Sequence, residues 1–151
     1  MKPIGYWLNR TDSALTHRMN SLLAGFGITR TDWQVLNVIK DDPQATDTEV
    51  LTVLAANADA TALAAAIGAV IADGWVARPE PGRLALTEDG RTRLADVAEH
   101  VHAFRELSTV GITREEYRIA VTVLERMTDN LDSYGSPPAW TRGRAVDFKS
   151  C

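Results

Sequence analysis

The sequence predicts a mainly α-helical chain with one small β-hairpin, and three observations predict it. Apolar residues recur every three or four positions through most of the chain, which is the helical period. Glycine and proline cut that pattern into segments, at Gly25-Phe26-Gly27, Pro43, Gly74, Gly111 and Gly135. The period changes only around Pro79-Glu80-Pro81-Gly82, between Trp75-Val76-Ala77-Arg78 and Arg83-Leu84-Ala85-Leu86. Two short runs joined by four turn-forming residues predict a two-stranded hairpin.

The elements follow in order. Ile4, Trp7, Leu8, Leu15, Met19, Leu22, Leu23 and Phe26 predict a long first helix over residues 3–26. Thr31-Asp32-Trp33-Gln34 fits a capping box, in which a hydroxyl and a side chain three residues on satisfy each other's backbone amides. The helix it opens carries Trp33, Val35, Leu36, Val38 and Ile39 and ends before Pro43. Thr46-Asp47-Thr48-Glu49 opens a short helix to about Leu54. Ala55-Ala56-Asn57-Ala58 makes a turn, and Asp59 or Thr61 caps a helix over 60–73 that Gly74 closes. Beyond the hairpin, Thr87-Glu88-Asp89 starts a long helix over 88–109, with acids facing its positive end. Thr113-Arg114-Glu115-Glu116 starts the last, over 114–134, with Tyr117, Val121, Leu124, Met127, Leu131 and Tyr134 on one face.

Composition narrows the class. The chain has 151 residues, 45% hydrophobic and 24% charged, which suits one domain with a real core, or one domain plus a dimerisation extension, and argues against disorder. Its single cysteine, Cys151, forms no internal disulfide, as expected of a protein of the reducing cytoplasm. The N-terminus turns polar at Asn9-Arg10, too soon for a signal peptide, and no run approaches the ~20 apolar residues of a membrane span. Charge is uneven within a net −4. Residues 1–30 hold four cations against one acid, and residues 31–93 hold five against ten. No Lys or Arg stands between Lys40 and Arg78.

The middle run, a helix-turn-helix ending in the helix at 60–73 and then a hairpin, is a winged helix-turn-helix, a module that sets the second helix of that pair in the DNA major groove. The long flanking helices have no other domain to cover them, so they are expected to pack together and against a second copy as a dimerisation bundle. The expected division is a helical dimerisation region at 1–30 and 88–135, a DNA-binding region at 31–87 and a C-terminal tail at 136–151, with Trp140 and Phe148 as anchors.

Over about residues 4–134 the chain resembles the MarR (multiple antibiotic resistance regulator) family. Thr31-Asp32-Trp33-Gln34-Val35-Leu36 looks like the start of that family's second helix, and Ile71-Ala72-Asp73-Gly74-Trp75-Val76 like its recognition-helix end leading into the wing. Leu84-Ala85-Leu86-Thr87-Glu88-Asp89-Gly90-Arg91 resembles the second wing strand running into the fifth helix, and Gly111-Ile112-Thr113-Arg114-Glu115-Glu116 the start of the last. The resemblance implies a cytoplasmic homodimeric regulator that binds double-stranded DNA and is released by a small, often aromatic, effector. The sequence departs from the family pattern in its wing, which is short and lacks the Asp-x-Arg near the tip. It departs also in the 60–73 helix, which is mostly Ala with no cation.

The expected DNA contacts are Asn57 and Thr61 toward the groove and Arg78 and Arg83, facing each other across the hairpin, toward a phosphate. Arg30, Arg91 and Arg93 add backbone contacts, while Asp41, Asp42, Asp47, Glu49 and Asp59 oppose them. Thr61 serves equally as a helix cap. Trp7, His17, Met19, Trp33 and Val97 are expected to line an effector pocket where the first, second and fifth helices meet, although aromatics at helical spacing also serve as plain core. His100 and His102 are two apart, and His102 with Glu106 makes only two ligands; no metal or other cofactor is expected. No nucleophile, base and orienting group come together, so an enzyme is not the expectation. The reading is a dimeric regulator of MarR type that binds palindromic DNA through the helix at 60–73 and the wing at 75–87. Its alternative is the same dimeric scaffold with DNA binding lost, serving as a small-molecule binder, a protein partner or, last, an enzyme.

Overall fold

The computed structural model describes residues 1–134; the tail at 136–151, with Trp140, Phe148 and Cys151, lies outside the described residues. Six helices and one hairpin follow the expected order: α1 (Ile4–Gly25), α2 (Arg30–Asp41), α3 (Asp47–Val53), α4 (Ala60–Ala72), β1 (Val76–Ala77), β2 (Ala85–Leu86), α5 (Glu88–Ser108) and α6 (Arg114–Asp132). No helix among the described residues is long and apolar enough to cross a membrane.

The start of α2 differs from the sequence reading. Its cap is Thr29, not Thr31: the Asp32 amide donates to the Thr29 hydroxyl at 3.1 Å and the Thr29 amide donates to the Asp32 carboxylate at 2.9 Å. An acid three residues on closes the box more strongly than Gln34 would, because it also meets the positive end of the helix. At α3 the box is half formed. The Glu49 amide donates to Thr46 Oγ1 at 3.2 Å, but the Glu49 side chain does not return a bond to the Thr46 amide, and the neighbouring Asp42 carboxyl raises the Glu49 pKa. Asp59 caps α4, accepting from the Ala62 amide at 2.7 Å, which leaves Thr61 inside the helix. At α6 Thr113 and Glu116 form a complete capping box.

The wing is antiparallel, with Val76 opposite Leu86 and Ala77 opposite Ala85. Continuing that register sets Arg78 beside Leu84, so Arg78 and Arg83 do not face each other. The expected symmetric loop is displaced because Arg83 pairs elsewhere, in an antiparallel bridge with Thr46. The Leu84 amide donates to the Ala45 carbonyl at 2.9 Å. The segment before α3 thus adds a third line of backbone to the wing.

One core runs beneath these elements. Val35, Leu36, Ile39, Val50, Leu63, Ile67, Val70, Trp75 and Leu84 are buried in it, joined by Leu94, Val97 and Val101 of α5. At its corner, Thr87 Oγ1 donates to the Gly74 carbonyl at 2.7 Å and the Thr87 amide to the Trp75 carbonyl at 3.0 Å. A β-carbon on Gly90 would collide with that Trp75 carbonyl. Glycine there lets the first turn of α5 rest on the wing.

Candidate nucleic-acid interface and adjoining cleft

Helix α4 buries Leu63, Ala66, Ile67 and Val70 and turns Ala60, Thr61, Ala64, Ala65, Gly68 and Ala69 to solvent. Asn57 is exposed in the turn before it. The exposed face offers one hydroxyl, one nearby amide and a row of methyl groups. Such a surface makes apolar contact with a thymine methyl and few base-edge hydrogen bonds.

The arginines beside it are engaged within the chain. Arg78 meets Asp47 at the start of α3 in a two-pronged pair, Nη1 to Oδ1 at 2.6 Å and Nη2 to Oδ2 at 2.9 Å. The hydrogen bonds and charge of Arg78 hold the Asp47 carboxyl below the usual carboxylate range, and Asp47 in turn raises the arginine's pKa. Arg83 donates through Nη2 to the Pro43 carbonyl at 2.8 Å and has Glu80 at 3.6 Å. Its Nε is buried without a partner. Arg93 lies 3.9 Å over the Trp75 ring and donates to the Asp73 carbonyl at 3.0 Å, with Asp73 and Asp89 carboxylates nearby. It pins the end of α4 to α5. Arg91 is exposed and has no ion-pair partner among the described residues.

Arg30 opens α2 and lines a cleft of about 650 Å³. Leu15, Thr16 and Met19 of α1 form one wall, Phe104, Arg105 and Thr109 of α5 with its following turn another, and Ile112, Arg114 and Tyr117 close the far side. Arg30, Arg105 and Arg114 against Asp12 and Glu106 leave the lining positive by one charge. Of the five residues expected to line a pocket, the structure brings only Met19 here. Trp7 is 55% exposed on α1, His17 is exposed, Trp33 packs half-buried against the core and Val97 is wholly inside it. Phe104 falls at helical spacing with Leu94, Val97 and Val101 on the apolar face of α5. Ile112 and Tyr117 reach the cleft only because Gly111, at φ +79°, turns α6 back.

Helix α6 has no buried residue. Tyr117, Val121, Leu124, Met127, Leu131 and Tyr134 all stand exposed, as do Ile4, Trp7 and Leu8 of α1. A continuous apolar stripe that no other described residue buries is a surface suited to a partner.

No family model matches the sequence, and no match was found among curated proteins. Solved structures do match. The Mycobacterium tuberculosis MarR family protein Rv2887, in complex with DNA, aligns at TM-score 0.67 and 23% identity over 84% of this chain and 98% of its own. The reduced form of MarR from E. coli aligns at TM-score 0.66 and 22% identity over 84% and 94%. The transcriptional repressor CouR, bound to p-coumaroyl-CoA, aligns at TM-score 0.67 and 23% identity over 83% and 91%. The helix order, the hairpin and these alignments agree: the chain has the winged helix-turn-helix fold of the MarR family.

Proposed function

We propose that the chain is a cytoplasmic, homodimeric transcription regulator of MarR type, which binds palindromic double-stranded DNA and answers to a small effector. The observation that carries this reading is the winged head itself, an exposed α4 bordered by a hairpin, in a fold that Rv2887 presents on DNA. The helix at 60–73 and the wing at 75–87 are the contacting elements, with Asn57, Thr61, Arg78, Arg83, Arg91 and Arg93 around them and Arg30 at the start of α2. The regions 1–30 and 88–135 supply the dimer, because the stripes on α1 and α6 need a partner and a second copy offers the same stripes. Two heads one helical turn apart then call for a palindromic site.

The cleft suits the effector. Its arginines favour an anionic group and Phe104, Tyr117 and Met19 an aromatic or acyl body; the p-coumaroyl-CoA held by CouR is of that chemistry. A ligand there touches α1, α5, α6 and the first residue of α2, and α2 packs on α4. Preference for one spacing of the heads is how it would release DNA.

A second reading, the same dimer without DNA binding, is favoured by the ion-paired Arg78, Arg83 and Arg93 and the cation-free α4 face. Sedimentation and duplex binding at two salt concentrations separate the readings. A regulator sediments as a dimer, and retains DNA at low salt and loses it steeply as salt rises. The bare scaffold is dimeric but retains no DNA. Leu124→Glu on α6 converts either to a monomer; a monomeric parent chain at micromolar concentration overturns both.

A further inference from the structure

We infer that Asp47 sets the DNA affinity of the winged head by neutralising Arg78, so that the wing cation is held back from phosphate until that ion pair opens. The inference rests on the DNA-binding reading above.

The pair joins distant parts of the chain, the first residue of α3 and the residue that follows β1. Both Nη atoms meet both carboxylate oxygens at 2.6 and 2.9 Å, the parallel geometry that makes arginine–carboxylate contacts strong and directional. Arg78 is the only cation between Lys40 and Arg83, and Arg83 is itself tied to Pro43 and Glu80. The side chains of Arg78 and Asp47 remain 40% and 37% exposed, so a phosphate has access to the pair.

Affinity for the DNA backbone comes from cations that displace condensed counterions, about 0.9 in the log–log salt slope for each phosphate neutralised. A neutral Arg–Asp pair displaces none. Arg78 therefore adds to that slope only after exchanging the Asp47 carboxylate for a phosphate. The arginine also keeps Asp47 ionised well below neutrality, so a change of pH near 7 does not free it. If the carboxylate instead served to orient Arg78 toward phosphate, removing it would weaken binding; the two roles predict opposite signs.

The test uses the full chain and a mixed-sequence duplex of about two helical turns, with anisotropy read between about 50 and 200 mM salt. Asp47→Asn is expected to bind about tenfold tighter at the low end, with a slope steeper by about 0.9 per subunit. Arg78→Ala is expected to abolish the gain in the Asp47→Asn background and to cost that background several times more than it costs the parent chain, where the arginine is already neutralised. Asp47→Glu, which keeps the charge, is expected to bind as the parent does, and a thermal melt of each variant confirms folding. Unchanged or weaker binding by folded Asp47→Asn overturns the inference while leaving the DNA-binding reading intact. An equal loss from Arg78→Ala in both backgrounds also overturns it. No retention by either parent or Asp47→Asn at the lowest salt overturns the DNA-binding reading and this inference together.

Discussion

The winged head and the terminal helices are built from similar apolar periodicities and end in opposite conditions. Among the described residues, fifteen of the nineteen buried apolar side chains lie between Ile28 and Leu86. Helix α6, nineteen residues long, buries none. The head satisfies its own hydrophobic faces through α2, α3, α4 and the wing, whereas α6 and the start of α1 carry theirs into solvent. An apolar stripe therefore reports that a surface will be covered, not which molecule covers it. The stability of the head is a property of one chain, and that of the terminal helices becomes a property of concentration if a second copy covers them.

That contrast is open to direct attack. The largest expected effect is Leu36→Ala in the head. It removes a fully buried side chain from the core, and about 3 kcal/mol of unfolding free energy should go with it, read from urea denaturation at fixed protein concentration. A change under about 1 kcal/mol would mean that the head is far looser than its burial implies. Next is Thr113→Ala, which dismantles the complete capping box at the start of α6. About 1 kcal/mol is expected, seen as faster amide exchange in the first turn of α6. The loss should be most visible at low protein concentration, where the helix has least tertiary support.

The smallest effect is the acid response of Asp47. Its pKa is depressed, chiefly by the hydrogen bonds from Arg78. The pair's contribution is therefore present above the unfolded-state value and is lost as pH falls through the folded one. Solvent screening of so exposed a pair keeps it to less than about 1 kcal/mol. Urea midpoints of parent and Asp47→Asn should converge as pH drops below the ordinary carboxylate range and differ slightly at neutral pH. A gap that stays constant down to pH about 2 would assign the effect to packing instead.

Most of the fold was legible because its signals are local. Gly74 and Gly111 end their helices with positive φ, Thr46, Thr87 and Thr113 cap theirs, and the change of period at Trp75 marks the wing. The misreading at Thr31 was a choice between two nearby hydroxyls, decided by which had an acid three residues on. The candidate site was less legible. The expected facing of Arg78 and Arg83 assumed a symmetric loop, whereas the bridge from Thr46 shifts the pairing. The cleft draws on α1, α2, α5 and α6, and only Met19 of the expected pocket lines it. Trp7, more than half exposed, belongs instead to the apolar stripe of α1, where its neighbours Ile4 and Leu8 are exposed as well.

By itself the sequence determined the helices, their order, the hairpin and the shortage of cations on the reading face, since each depends on neighbours within a few positions. The tertiary structure decided what those cations do. Arg78 found Asp47, Arg83 found Pro43 and Arg93 found Trp75 and Asp73. Two of those meetings join residues more than thirty positions apart. Long side chains choose partners by where the packed backbone carries them, and the charge that a surface shows to solvent is what remains after those choices.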